Sequence, residues 1–380
     1  MSPKFRKIAR VSFVSLNITA IVFYLAACLV PSLNEGNFWF IALLGLVFPL
    51  IFFIVLFFLL YWVVRRSKWA FISLAALLLS WKQVSVMFGF HTTKTFEKSK
   101  PDSTLRILSW NISSWGKTNR ANKSRDDHRS EMIDLLNSSN ADVICLQEYP
   151  FTNAINFRDS VISGLSDRGY KYGYFAKAKY TMRLYHSAHV TGVVILSKYP
   201  FADTAAFNYG DNDYAEPLLY TDIKLHDKTV RVYTTHLQSV RFDDYDYEGL
   251  HSLKKEPVSA SITQSRATAW KLKQAYKKRA AQAEMLRDKI KNSPYPVIVC
   301  GDFNDVPNSY TYFTVREDLQ DAFLKKSGGF GRTFRFISPT LRIDYILADK
   351  KFDVTQFNKF EVTYSDHYPI VADLDITTKK

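Results

Sequence analysis

VIVCGDFND, Val297–Asp305, joins four residues suited to a strand buried on both faces to a glycine and then to Asp302, Asn304 and Asp305. An apolar strand that ends this way delivers carboxylate and amide groups to the rim of a sheet. The pattern recurs. In LSWN (Leu108–Asn111), ICLQE (Ile144–Glu148), YTTHL (Tyr233–Leu237), IDYIL (Ile343–Leu347) and YSDHYP (Tyr364–Pro369), apolar runs meet Asn111, Glu148, His236, Asp344, and Asp366 with His367. Such ends gathered at one rim form a site rich in oxygen donors, which suits a hard divalent cation.

Taken singly, each residue has an ordinary role. Asn111 can end a strand in a turn, and GDFND is common turn chemistry. Glu148 can be an exposed acid before Pro150, His236 a core histidine, Asp344 a partner for Arg342, and Asp366 a turn cap with Ser365. Their combination, always at the end of a strand, points to a site.

Outward from these motifs, β-rich runs occur at Leu105–Ser109, Val143–Gln147, Gly192–Ser197, Leu219–Leu225, Val230–His236, Val297–Gly301, Ile343–Leu347 and Phe360–Tyr364. Helices are expected at Arg129–Ser138 and Thr263–Lys291. The second aligns Leu272, Tyr276, Ala283, Leu286 and Ile290 along one side, with its Lys and Arg residues mostly elsewhere, so it is expected to dock on a sheet and turn a basic face to solvent. Cys28, Cys145 and Cys300 are too sparse for a disulfide framework and read as small buried side chains.

Most of the formal charge of +14 belongs to residues 1–100, which hold eleven Lys and Arg against only Glu35 and Glu97. Charge alone therefore says little about nucleic acid and more about a membrane. Val11–Val30 and Phe38–Val64 exceed or match the roughly 20 apolar residues that cross a bilayer. Trp69–Phe90 is a third run, interrupted by Lys82 and Gln83. Residues 1–90 are thus expected to form a membrane anchor of two to three transmembrane helices (about 11–30, 38–64 and 69–90), residues 91–104 a linker, and residues 105–380 a catalytic domain. A second span so close to the first disfavours a cleaved signal peptide over residues 1–30. Lys4–Arg10 and the loop with Arg65, Arg66 and Lys68 carry seven positive charges, whereas Pro31–Asn37 carries no Lys or Arg. By the positive-inside bias both basic segments face the cytoplasm. Three crossings put the catalytic domain on the extracytoplasmic side, the expected location, and two leave it inside.

LSWN, DVICLQE, TTHL, VIVCGDFND, RIDYIL and YSDHYPI, in this order over about 265 residues, resemble the successive motifs of the endonuclease/exonuclease/phosphatase (deoxyribonuclease I-like) superfamily. The resemblance implies a four-layer α/β/β/α sandwich of two mixed β-sheets flanked by helices, and hydrolysis of a phosphoester by in-line attack of water. Carried over residue by residue, it implies that Glu148 is the main metal-ligating carboxylate, with Asn111 and Asp366 completing the site for Mg²⁺ or Mn²⁺. His367 resembles the catalytic histidine and Asp344 the carboxylate that orients it. Asp302 resembles the residue that positions or deprotonates the water, and Asn304 and His236 those that hold the phosphate oxygens. Whether His367 or Asp302 is the general base stays open at this point.

The superfamily includes nucleases, lipid phosphodiesterases and phosphoinositide phosphatases, so nucleic acid and a phospholipid head group both stand as substrates. Glu148 is followed by Tyr149 and Pro150, unlike the Thr-Lys of abasic-site endonucleases, and Arg342–Tyr345 lacks the inositol phosphatase pattern. The Ser239–Ala260 insertion with Tyr245 and Tyr247, and Tyr180–His189 with Arg183, His186 and His189, are either substrate contacts or surface loops. The bilayer is an expected partner, and no protein partner is inferred. The alternative is a catalytically silent relative that binds a partner or an anionic ligand; competent residues at every matched position favour activity.

Overall fold

The strands alternate their apolar side chains between two faces, and both faces are covered. The computed structural model describes residues 2–118, 127–151, 165, 168–179, 182–184, 187–210, 215–240 and 258–377. In it β2 (Thr104–Asn111) sends Leu105 and Ile107 toward the opposite sheet, and Leu108 and Trp110 toward helix α5 (Arg129–Ser138). β10 (Val297–Asp302) sends Ile298 and Cys300 inward, and Val297 and Val299 outward against α6 (Val258–Lys291) and α7 (Tyr310–Arg316). Near-continuous apolar runs are the sequence form of such two-sided burial. Each Leu or Ile withdrawn from water contributes about 1.5–3 kcal/mol.

One sheet runs β11 (Gln320–Asp321), β13 (Asp344–Ala348), β10, β9 (Lys228–His236), β8 (Leu218–Leu225) and β7 (Phe201–Phe207). The other runs β14 (Asp353–Lys359), β15 (Ile370–Asp375), β2, β3 (Val143–Phe151), β6 (Ser187–Ser197) and β4 (Tyr172–Lys177), with β5 (Met182–Leu184) also paired to β6. Both sheets are mixed, because β10 lies parallel to β9 and β2 parallel to β3. A short ribbon of β1 (Gly89–Phe90) and β12 (Gly328–Gly329) stands apart. With helices on both outer faces this is the expected α/β/β/α sandwich. Helix α6 buries Tyr276, Ala283 and Leu286, as its periodicity predicts.

Phe360–Tyr364 is not the strand that its alternation predicts. Phe360, Val362 and Tyr364 pack on the cluster around Trp110 from an irregular connection between β14 and β15, where the Phe360 N–H bonds only as far as Pro369 O. The alternation reports which side chains are covered, and among the described residues no strand pairs with this segment. Tyr245 and Tyr247, and the side chains of Arg183, His186 and His189, lie outside the described residues.

Toward the N-terminus, α1 (Pro3–Leu29) and α2 (Trp39–Val64) are long and apolar enough to cross a membrane. α3 (Trp69–Leu79) and α4 (Trp81–Met87) qualify only as a pair, bent by 64° at Ser80. Large apolar side chains point outward on these helices: Val64 is 81% exposed and Leu79 76%. Inward, α3 and α4 follow α1 in the same direction. Ser73 Oγ donates to Asn17 Oδ1 (3.1 Å), the Tyr24 and Ser80 hydroxyls bond each other, and Gln83 Nε2 donates to Cys28 O (2.8 Å). The partners are 56, 56 and 55 residues apart, the signature of two parallel helices in constant register. The third segment therefore travels from the level of the basic Arg65–Lys68 loop to that of the Pro31–Asn37 turn.

Residues 91–104 form an irregular connection pinned along the sandwich. The His91 N–H donates to Ser327 O, Asn358 Nδ2 donates to Lys94 O, and the buried Arg106 guanidinium donates to Glu97 O and Lys98 O.

Candidate active site

Gly301 has φ +146°, and a Cβ there would collide with the Thr235 carbonyl oxygen. Glycine is what lets β10 close on β9, and that approach sets Asp302 beside His236. The buried Asp302 Oδ2 is a focus of the site: Asn111 Nδ2 donates to it at 3.1 Å, His236 Nε2 lies at 3.5 Å and His367 Nε2 at 3.6 Å. Its Oδ1 accepts the Asn304 N–H at 2.8 Å. Asn304 is left-handed, φ 52°, and sends Nδ2 to Leu237 O. Burial lifts the Asp302 carboxyl above its ordinary value; His367 and His236 pull it back in part, while Asp344 adds to the lift.

Each histidine is backed by its own carboxylate. His367 Nδ1 lies 3.1 and 2.9 Å from the two oxygens of Asp344, whose N–H bonds Thr333 Oγ1, and the Phe334 ring packs edge-on against the imidazole. His236 Nδ1 lies 3.3 Å from Glu216 Oε2. Burial opposes the charged form of both rings, yet the carboxylates prevail. Glu216, Asp302 and Glu148 raise His236 to about 9, and Asp344 with Asp302 holds His367 well above 6.5. Arg342 does not compete for Asp344, because it pairs with Asp321.

Glu216 was not among the residues expected from the sequence. It is fully buried, and it accepts the Glu148 N–H at 3.0 Å as well as facing His236. Its only signal is an acid before Pro217 at the head of an apolar strand.

Glu148 owes its direction to a break in its strand. The β3–β6 register shifts between Leu146 and Tyr149, and Glu148 takes φ 51°. A bulge of this kind re-aims a side chain at a backbone cost of order 1–3 kcal/mol. Glu148 Oε1 accepts Asn111 Nδ2 (3.1 Å) and lies 4.0 Å from His236 Nε2, and its Oε2 accepts Thr118 Oγ1 (3.2 Å). Asp366 accepts from Ser113 Oγ, whose N–H bonds Asn111 Oδ1. Burial raises the Glu148 carboxyl first, His236 opposes, and Asp366 and Glu216 raise it further.

Carboxylates crowded in this way repel one another, and a divalent cation relieves that repulsion. Two donor sets offer a place for one. The ligand atoms of Asp302, Asp344 and His367 lie within 4.8 Å of one another, a buried cluster able to hold a divalent ion. The set expected from the sequence lies alongside, with Asn111 bonded to Glu148 and Asp366 in electrostatic reach of it. It is all oxygen when Asn111 turns its amide oxygen inward, which is the chemistry Mg²⁺ favours.

Residues 108–367 match the model of the Endonuclease/Exonuclease/phosphatase family, and residues 9–87 match one described as a domain of unknown function (DUF8431). No curated protein matches the sequence. Among solved structures, an endonuclease/exonuclease/phosphatase from Beutenbergia cavernae DSM 12333 is 20% identical over 72% of this chain and 71% of that one, with a TM-score of 0.52. The human Nocturnin catalytic domain with bound sulfate anion is 16% identical over 71% and 93%, TM-score 0.49. A family protein from Bacteroides thetaiotaomicron is 14% identical over 71% and 97%, TM-score 0.47. At such identities the likeness concerns the fold alone. The family model spans more than half of the chain and encloses every residue of the site, so this chain belongs to the endonuclease/exonuclease/phosphatase family.

Proposed function

We propose that the chain is a membrane-anchored phosphoesterase that hydrolyses phosphodiester bonds with the help of Mg²⁺ or Mn²⁺. The observation that carries this is the ring of donors on Asp302 Oδ2: an amide and two imidazoles, each imidazole backed by a buried carboxylate. Asp302, its basicity lifted by burial, takes the proton of the attacking water. His367, whose charged form Asp344 favours, stabilises the charge that develops on the phosphoryl group. His236 and Asn304 bind the non-bridging oxygens. Glu148, Asn111 and Asp366 hold the divalent ion. A divalent ion held there would supply charge neutralisation at the phosphoryl oxygens and at the leaving oxygen.

Residues 1–90 form the anchor, residues 91–104 the connection, and residues 105–380 a catalytic domain on the extracytoplasmic side. Two features support that side. The α3–α4 segment advances parallel to α1, and the α1–α2 turn touches the catalytic domain, with Asn34 Nδ2 donating to Glu284 (2.9 Å) and Asn308 Nδ2 to Ala27 O (3.0 Å). Turn and domain thus share a face opposite the basic Lys4–Arg10 and Arg65–Lys68 segments. A hydrolase held at a bilayer meets phospholipid head groups first, and nucleic acid is the second substrate class.

The test uses the intact protein in lipid nanodiscs with bis-p-nitrophenyl phosphate, single- and double-stranded DNA, RNA, sphingomyelin and a phosphoinositide, each with Mg²⁺, Mn²⁺ or EDTA. Metal-dependent cleavage that disappears in His367→Ala is the expected result and names the substrate class. A folded protein that cleaves none of them overturns the proposal in favour of a binding role.

A further inference from the structure

Glu35 is one of only two acids among residues 1–100, and it is fully buried although it belongs to the turn between α1 and α2. It is buried in the catalytic domain. Its Oε1 accepts the Tyr310 N–H at 2.8 Å, and its Oε2 faces Thr311 Oγ1 at 3.4 Å, so it closes the first turn of α7. Its carboxyl also lies against Asp305 beside Arg279; burial and Asp305 raise it well above the usual carboxylate value, and Arg279 opposes.

Asp305 directly follows Asn304. Arg279 pairs with Asp305 (3.3 Å) and donates to Gln238 O (2.9 Å), one residue beyond Leu237, whose carbonyl receives Asn304 Nδ2. Glu35 is thus one contact from the segment carrying Asp302 and Asn304, and two from the end of the strand carrying His236. The same segment is gripped again at Asn308 by Ala27 O and by the bare backbone of Gly45, where an added Cβ would strike Asn308 O.

We propose that Glu35 is a positioning residue of the active site: through Asp305, Arg279 and the start of α7, the membrane anchor holds the Asp302–Asn308 segment in the geometry that turnover requires. The inference rests on the phosphoesterase reading for its kinetic part only. A merely structural contact would change the folded fraction, whereas a positioning contact changes the rate per folded molecule. Misplacement of reacting groups by about 1 Å lowers rates by as much as ~100-fold.

The experiment compares native protein, Glu35→Ala, Glu35→Asp and Glu35→Gln in nanodiscs, with two readouts. One is kcat and KM on soluble bis-p-nitrophenyl phosphate, scaled to folded protein; the other is amide hydrogen exchange over residues 303–311. Glu35→Gln keeps the length of the side chain and an acceptor for the Tyr310 N–H, and keeps kcat within about threefold. Glu35→Asp is too short to reach Tyr310. It and Glu35→Ala lower kcat about tenfold or more with KM changed less than about twofold, and speed exchange at Asn304–Asp305. Native kcat or native exchange in both Ala and Asp variants overturns the inference. Should the native protein cleave nothing, the phosphoesterase reading falls while the exchange readout still decides the coupling; should Glu35→Ala fail to fold, Glu35→Asp decides it.

Discussion

Asp344 and His367 face each other across the sandwich, one from the start of β13 and the other from the loop before β15, with Nδ1 2.9 Å from the nearer carboxylate oxygen. The pair fixes a proton on Nδ1 and turns Nε2 toward Asp302. Asp344→Asn removes the charge that keeps the imidazole protonated and permits the flipped ring. The expected outcome is a loss of about 10²–10⁴ in kcat with little change in KM. Steady-state kinetics on bis-p-nitrophenyl phosphate checks it, and a loss under about threefold would remove Asp344 from the machinery.

Glu148 is crowded by Asp366 and Glu216, so its replacement relieves repulsion in the ion-free protein while removing a proposed ligand. Glu148→Gln is expected to abolish metal-dependent turnover. Mg²⁺ at about 100-fold over its Kd stabilises the native protein by ~2.7 kcal/mol; the variant shows little of this gain. Denaturant melts with and without Mg²⁺ read both effects.

His236 has a raised pKa in the fold, about 9 against 6.5 for a free imidazole. Its ion pair with Glu216 therefore stabilises fully below pH 6.5 and is lost as pH rises through 9. In EDTA, stability should fall across that window by at most about 3 kcal/mol. His236→Gln flattens this part of the profile, and melts at intervals from pH 6 to 10 would reveal an unflattened one.

Arg342 is buried, with its guanidinium bonded to Asp321 and to Val86 O of α4. Arg342→Met leaves Asp321 a buried acid without its cation, which costs about 3–5 kcal/mol. Adding Asp321→Asn should recover part of that loss in the same denaturation experiment, and no recovery would contradict the pairing.

Lys350 lies on the α/β/β/α sandwich and Lys68 in the basic loop, both exposed. On the proposed topology, a membrane-impermeant maleimide applied to intact cells labels Lys350→Cys and leaves Lys68→Cys untouched until the membrane is opened. The reverse pattern would place the domain in the cytoplasm.

The gathering of the candidate residues was legible in part because strand ends leave a double trace: an apolar run specifies the strand, and the polar residue that stops it cannot share that burial. Asn111, His236 and Asp302 end β2, β9 and β10 and carry it, with Asn304 just beyond; Glu148 sits at the break in β3, whereas Asp344 opens β13 and His367 lies in the loop before β15, so the apolar run beside each misnamed its place. Glu216 carries no such trace, since its role comes from the bulge that turns the Glu148 N–H toward it, a backbone event without a local residue signature. Strand β14 escaped notice because it is an edge strand with burial confined to Val354 and Phe357. Phe360–Tyr364 misled for the converse reason: alternation records covering, not pairing. The bend at Ser80 was hidden because the composition on both sides is equally helical, and only the contacts with Tyr24 and Cys28 show where the chain turns.

The pinned course of residues 91–104 has a consequence for how this enzyme finds substrate. A catalytic domain on a flexible leash sweeps a volume whose effective concentration depends on leash length. Here Arg106, Ser327 and Asn358 take up the slack. On the proposed anchoring, the candidate active site would ride at one height and one tilt in the bilayer. Its search becomes two-dimensional, paced by lateral diffusion of the whole protein, and only phosphoesters presented at that height come within reach.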